Sequence, residues 1–297
     1  MLNKKIVLVG CLEEGWDLFQ SLSKNGVNFD HIVTVHPSDK EKHAISGYKD
    51  FSDIAEKYNI PIYHVRSYSL KDQADIDFFR EHKFDLLIQG GWQRLFPEAV
   101  LDTLSIGAIG VHGSSDFLPK GRGRSPMNWS LIEDKKRFIM HLFLIKPGID
   151  DGDVFDYEFF DINEFDTIKT LYYKKTILTK RMILRNIPKL LSGDIKTTPQ
   201  EGIPSYYPKR TPDDGLIDWE EMDVRYIYNF VRAQTKPYPG AFGTIDGKKY
   251  KIWGSKVFDT RISYPDHKYG ACVEKFENDM VINCRGGLLL VDDYELM

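Results

Sequence analysis

The sequence predicts an α/β protein in which a mostly parallel, doubly wound sheet with covering helices is followed by a small β-rich lobe. Three observations predict it. In the first half, short apolar β-rich runs alternate with helix-period segments, the pattern of parallel strands joined by helical crossovers. A turn-rich stretch, Gly202-Ile-Pro-Ser-Tyr-Tyr-Pro-Lys-Arg-Thr-Pro212, then breaks that pattern. Beyond it the β-rich runs become short and closely spaced, as in a small barrel. At 297 residues the chain suits two unequal domains. The change of pattern divides it into residues 1–205 and 206–297.

Each element follows from local pattern. Strands are predicted at Lys5–Val9, His31–Val35, Pro61–His64, Asp85–Gln89 and Ala108–His112, all short and rich in branched apolar residues. Between them, Glu14–Lys24, Phe51–Tyr58, Gln73–Phe84 and Pro97–Thr103 have the mixed composition of amphipathic helices. A helix at Ser125–Glu133, strands at Phe138–Ile145 and Asp153–Phe160 and the long segment Phe165–Leu191 close the first domain. The tail opens with a helix at Val224–Gln234. Short strands follow at Ala241–Ile245, Tyr250–Gly254, Ala271–Phe276, Val281–Asn283 and Leu288–Val291.

Composition excludes several classes. With 42% hydrophobic, 13% aromatic and 28% charged residues, this is neither a disordered nor a fibrous chain. Forty Lys and Arg against 44 Asp and Glu give a net charge of −4, without the positive surplus that neutralises phosphates, so no nucleic-acid partner is expected. The tail carries 8 Lys and 5 Arg against 15 acidic residues, so it is no basic arm. The apolar run after Lys4 and Lys5 is too short for a signal peptide, and no window approaches the ~18 apolar residues of a membrane span. Cys11, Cys272 and Cys284 are odd in number and lack a C-x-x-C spacing, which points away from disulfides and zinc and towards a reducing cytoplasm.

Four segments carry candidate chemistry. Gly10-Cys-Leu-Glu-Glu-Gly15 follows the first strand, where doubly wound folds bind ligands, but it lacks the second glycine of G-x-G-x-x-G and reads better as a tight turn. Gln89-Gly-Gly-Trp92 ends a buried strand, where paired glycines let a flat ligand meet main chain, or where Trp92 is simply core. His112 ends an apolar strand ahead of Gly113 and Ser114 and of a glycine-rich loop whose Arg122 and Arg124 suit a phosphate. Gly148-Ile-Asp-Asp-Gly-Asp153 has too few oxygens for calcium. A carboxylate from it beside an imidazole would fix the ring's tautomer and raise its basicity.

Taken together, His112-Gly-Ser, Leu118-Pro-Lys-Gly-Arg-Gly-Arg-Ser-Pro-Met-Asn-Trp129, Asp150-Asp-Gly-Asp153, Arg210-Thr-Pro-Asp-Asp-Gly-Leu-Ile-Asp-Trp219 and Arg232-Ala with Pro237-Tyr-Pro-Gly-Ala-Phe242 resemble the formyltransferases that use N10-formyltetrahydrofolate. The resemblance covers nearly the whole chain. It implies a Rossmann-like formyltransferase domain followed by an OB-like tail. Gly91-Trp-Gln-Arg-Leu-Phe-Pro97 and the Tyr-Pro-Gly-Ala-Phe stretch are most similar to the sugar N-formyltransferases, which act on nucleotide-linked amino sugars.

The resemblance implies a catalytic pair, His112 and Asp150, and a formyl donor held by Gln89, Gly90, Gly91 and Trp92. It also implies a nucleotide sugar contacted by Arg124, Asn128 and Ser114, and no metal. A cytoplasmic enzyme of surface-polysaccharide biosynthesis is the implied context. The β-rich tail could serve as a homodimer surface or as an intrachain one. One departure stands out: where the family has Asn-x-His, this chain has Gly110-Val-His112, and the loop from His112 to Pro119 is two residues longer than usual. The missing amide is the family's oxyanion donor, so His112 itself, Ser114, Ser115 or a loop N–H would have to replace it. A methionyl-tRNA formyltransferase, a relative that binds folate or sugar nucleotide without turnover, and a nicotinamide-binding oxidoreductase are the competing readings.

Overall fold

Four residues buried along their whole length, Ile6–Val9, form the strand (β1) around which the first sheet is built. The chain then runs through α1 (Glu13–Lys24), β2 (His31–Thr34), α2 (Ser52–Tyr58), β3 (Ile62–His64), α3 (Gln73–His82), β4 (Leu86–Gln89), α4 (Glu98–Leu101) and β5 (Gly107–Ser114). It continues with β6 (Arg122–Gly123), α5 (Pro126–Ile132), β7 (Arg137–Leu144), β8 (Val154–Asp161), α6 (Ile168–Ser192) and β9 (Tyr206–Tyr207). The tail comprises α7 (Val224–Gln234), β10 (Ala241–Ile245), β11 (Lys248–Asp259), β12 (Cys272–Phe276), β13 (Asp279–Cys284) and β14 (Gly287–Leu296). This computed structural model describes residues 4–45 and 47–297.

The seven-stranded sheet has the order β3-β2-β1-β4-β5-β7-β8. Strands β1 to β5 pair in parallel, and β7 and β8 turn back antiparallel. The expected α/β class with a mostly parallel sheet is therefore present, and the five-stranded antiparallel sheet β10-β11-β14-β13-β12 forms the β-rich tail. Core residues lie on both faces of the first sheet. Leu18, Phe19, Met127, Leu131 and Met182 pack on one face, and Phe79, Phe84, Trp92 and Val100 on the other. Such burial on both sides explains why the parallel strands read as continuous apolar runs rather than alternating ones.

Local chemistry sets several boundaries. Helix α6 starts at a reciprocal cap between Thr167 and Thr170 and stops at Gly193, whose φ is 78°. The α7 N-terminus is capped by Asp223, whose side chain accepts from the Tyr226 N–H at 2.8 Å. Strand β5 runs two residues past its expected end, so His112 sits within the β5–β7 ladder, opposite His141. The two-residue strands β6 and β9 pair with each other and lie outside the elements that the sequence predicts, because segments so short carry no periodicity.

Strand order reverses beside β1, which pairs with both β2 and β4, and at this point the main chains approach closely. A Cβ on Gly10 would lie 2.0 Å from the Gly90 carbonyl oxygen, and one on Gly15 would lie 1.8 Å from it. The glycines of Gly10–Gly15 are thus required by packing, in keeping with a tight turn.

The tail docks on the first domain through buried polar groups. The Asn128 Nδ2 on α5 donates to the Ala233 carbonyl at 2.7 Å. Arg232, almost fully buried, donates to the carbonyls of Asn163 (2.7 Å) and Asp166 (2.9 Å), and burial pulls its guanidinium below the usual arginine range. Tyr172 and Tyr238 share a hydroxyl hydrogen bond of 2.5 Å. The Arg232-Ala and Pro-Tyr-Pro-Gly motifs are therefore docking residues.

Gly15→Ala is expected to cost roughly 1–3 kcal/mol of stability, the usual range for overpacking, read as a lower urea midpoint at unchanged slope. A parent-like midpoint would show that α1 can slide off the Gly90 carbonyl.

Candidate active site

His112 is 8% exposed and has an oxygen on each side. Its Nε2 lies 2.8 Å from the Gly121 carbonyl, which can only accept, so Nε2 carries a proton. Its Nδ1 lies 3.4 Å from Asp150 Oδ2, longer than an ordinary hydrogen bond. The same Asp150 oxygen accepts from the Gly123 N–H at 3.1 Å. Asp150 has φ of 50°, a left-handed conformation that aspartate tolerates, and so heads a sharp turn out of β7. Gly152 completes the turn, since a Cβ there would lie 1.8 Å from the Leu144 carbonyl oxygen. The structure thus brings together the two residues singled out as a catalytic pair.

Gly110 lies two residues before His112 on the same face of β5. A Cβ at Gly110 would come within 2.6 Å of the Phe143 ring and 2.8 Å of Ile145 Cγ1. Phenylalanine fills the volume an asparagine would need, so the substitution is a repacking of this spot rather than a vacancy. Ser114 is buried with its hydroxyl under Gly121, where a Cβ would lie 2.0 Å away, and it accepts from the Asp116 N–H at 3.3 Å. Ser115 is buried beside Tyr207.

The donor-site residues Gln89, Gly90, Gly91 and Trp92 line one cleft of about 210 Å³, together with Gly15, Val111, Thr179 and the Glu14–Lys175 ion pair. Much of their main chain is already engaged: the Gly90 N–H donates to the Val9 carbonyl, and the Gly91 carbonyl accepts from the Cys11 N–H. The Gln89 Nε2 donates to the Trp92 carbonyl at 2.9 Å. The Trp92 indole is core, 3% exposed and edge-on to Tyr68.

The sugar-site residues separate. Arg124 is exposed, whereas Arg122 is spent on Gln200, with Nε and Nη2 3.1 and 2.6 Å from Gln200 Oε1. Asn128 spends its Nδ2 on tail docking, and its buried side chain borders a second cleft of about 210 Å³ beside Arg210 and Gln234.

Two residues that sequence reasoning missed matter here. Gln200 holds the Asp150 turn by donating to the carbonyls of Asp150 and Gly152, each at 2.8 Å. His141, 1% exposed, stands across the ladder from His112 and lines a cavity of about 310 Å³ with Phe117, Tyr157 and Gln200. Neither residue belongs to a pattern. Among the described residues, no His, Cys, Asp and Glu cluster could hold a metal, and no helix is long and apolar enough to cross a membrane.

Comparison with known proteins bears on this arrangement. A family model described as formyl transferase matches residues 4–187, and one for the formyl transferase C-terminal domain matches residues 209–297. The chain belongs to the formyl transferase family. It is 31% identical over 285 residues to the bifunctional polymyxin resistance protein ArnA of Wigglesworthia glossinidia brevipalpis, covering 95% of this chain and 41% of ArnA. The chain thus spans about two fifths of that relative's length. It is 27% identical over 292 residues to a methionyl-tRNA formyltransferase of Ruminiclostridium cellulolyticum, covering 98% of this chain and 91% of that one. Among solved structures, the fold is similar to an N-formyltransferase of Helicobacter canadensis in complex with folinic acid and dTDP-3-aminofucose. The TM-score is 0.68 at 18% identity, with 98% of this chain and 100% of that one covered.

Within this formyl transferase fold, His141 makes stability depend on pH. Burial above all, with the charge of neighbouring His112 next, pushes its imidazole from 6.5 down to about 4, against a smaller opposing effect of the His112 main chain. Folded His141 stays neutral where the unfolded chain takes up a proton. Its contribution is therefore complete above pH 6.5 and is lost as pH falls towards 4. The full loss amounts to roughly 3 kcal/mol, and His141→Phe is expected to flatten urea midpoints across that window. An unchanged pH slope in the variant would overturn this account.

Proposed function

We propose that this formyl transferase moves a formyl group from N10-formyltetrahydrofolate to the amine of a nucleotide-linked amino sugar, with His112 and Asp150 as the catalytic pair. The observation that carries the reading is the His112–Asp150 contact of 3.4 Å, with the opposite ring nitrogen fixed by Gly121. The bound donor supplies a formyl carbon open to attack by an amine. The chain's part is to orient the reactants and to handle protons, and His112 Nδ1, backed by Asp150 Oδ2, is where a proton is held and passed on. Acid–base assistance of this kind is worth roughly 10²–10⁴-fold. Gly110 offers no amide, and the Ser114 hydroxyl lies under Gly121. The oxyanion therefore falls to His112 itself, to Ser115 or to a loop N–H.

Charge supports a sugar nucleotide over tRNA as the acceptor. The lobe from residue 205 onward carries 8 Lys and 5 Arg against 15 acidic residues, whereas binding that rests on phosphate contacts needs a basic face. The Helicobacter canadensis neighbour's complex with folinic acid and dTDP-3-aminofucose points the same way. In this reading Gln89, Gly90, Gly91 and Trp92 present main chain to the donor, exposed Arg124 meets the nucleotide sugar, and Asn128 borders the cleft beside it. Ser114 supports the loop from below. The division into a catalytic domain, 1–205, and a tail, 206–297, a cytoplasmic location and a role in polysaccharide biosynthesis belong to the same proposal.

Turnover tests it. Purified protein with N10-formyltetrahydrofolate and a panel of UDP- and dTDP-linked amino sugars should release tetrahydrofolate and formylate one sugar, and His112→Ala should lower kcat by about 10²–10⁴-fold. Formylation of charged initiator tRNA instead would identify a methionyl-tRNA formyltransferase. Folate binding without product from any acceptor would identify a non-catalytic relative. Arg124→Ala should raise KM for the sugar nucleotide by about tenfold or more while leaving the donor's KM in place. Equal effects on both would remove Arg124 from the sugar site.

A further inference from the structure

The turn and the loop that carry the two oxygens flanking His112 are both tied to one segment of chain, the connection between the lobes. After α6, Thr198 pairs main chain with Val154 at the start of β8, its N–H donating at 2.7 Å and its carbonyl accepting at 2.9 Å. That bridge sets Gln200 two residues further on, against the Asp150 turn. Its amide is used on both faces: Nε2 donates to the carbonyls of Asp150 and Gly152, and Oε1 accepts from Nε and Nη2 of Arg122. Further along the connection, Ser205 Oγ accepts from the Gly121 N–H at 2.9 Å and the Ser205 carbonyl accepts from the Arg122 N–H at 2.9 Å.

We propose that Gln200 is a positioning residue for the His112–Asp150 pair: its amide locks the Asp150 turn to strand β6, which fixes the carboxylate against Nδ1. This rests on His112 and Asp150 being the reacting pair, and Gln200 touches neither ring nor carboxylate. The Asp150 carboxylate is joined to the body through the Gly123 N–H, and the turn behind it through Gln200. Both connections converge on Arg122–Gly123. Gln200 therefore controls the separation of turn and strand, and with it the direction in which Asp150 Oδ2 faces. A displacement of about 1 Å at such a site can cost about 10²-fold in rate.

Two variants of the full chain separate positioning from simple support. Gln200→Glu keeps an acceptor for Arg122 and loses the donor to the Asp150 and Gly152 carbonyls, whereas Gln200→Ala loses both. Both are expected to lower kcat roughly 10–100-fold with the formyl donor's KM held within about twofold. The His112 ring ¹⁵N signals, assigned by their loss in His112→Gln, are expected to shift in both variants without any substrate. Parent-like kcat and ring signals in Gln200→Glu would overturn the proposal, as would a raised KM at unchanged kcat. Should the parent turn over no acceptor, the ring signals still decide: a shift sustains the positioning role while the transferase reading fails, and no shift ends the proposal.

Discussion

An imidazole set between two oxygens can direct a proton only if both oxygens stay put, and holding them organises much of the first domain. The Gly121 carbonyl faces Nε2 and the Asp150 carboxylate faces Nδ1. Neither oxygen belongs to the strand that carries His112. Gly121 lies in the glycine-rich loop and Asp150 in the turn after β7, so their placement depends on the sheet turning back antiparallel at β5–β7–β8. That reversal puts the exit from β7 beside the entry to β5, with Leu144 opposite Ile109, which a purely parallel arrangement would not do.

The glycine two positions before His112 shows how such a site can change residue without opening a hole. Interiors are close-packed, and the loss of a side chain is tolerated when a neighbour grows into the space. Phe143 and Ile145 do this at Gly110. The consequence is chemical as well as steric. Apolar carbon stands against Gly110, and the polar groups of that corner are the imidazole, the Asp150 carboxylate and nearby main chain. His141, buried opposite His112 and kept neutral, adds no competing charge to it.

Most of the fold was legible because its signals are local. Buried strands such as Leu86–Gln89 are uninterrupted apolar runs, and α7 was found at its full length, Val224–Gln234. His112 and Asp150 were legible as motif residues and prove to be neighbours. Illegible were the parts fixed by distant partners. Gln200 belongs to no pattern in the segment between α6 and the turn-rich stretch, and only the folded chain brings it to Asp150. The ladder around His112 extends beyond the expected strand because β7 pairs with it, a long-range contact that no window of sequence contains. Arg122 and Arg124 look equivalent in sequence, yet one is committed to Gln200 and the other is exposed.

The two family models stop at residue 187 and resume at residue 209, and the segment between them is the one that carries Gln200 and Ser205. What looks like a tether between two modules is thus a structural part of the first. A cut in this connection would separate the first lobe from groups that hold its own turn and loop. A tail grafted from a relative would have to bring a connection that still reaches both the Asp150 turn and the Gly121 loop.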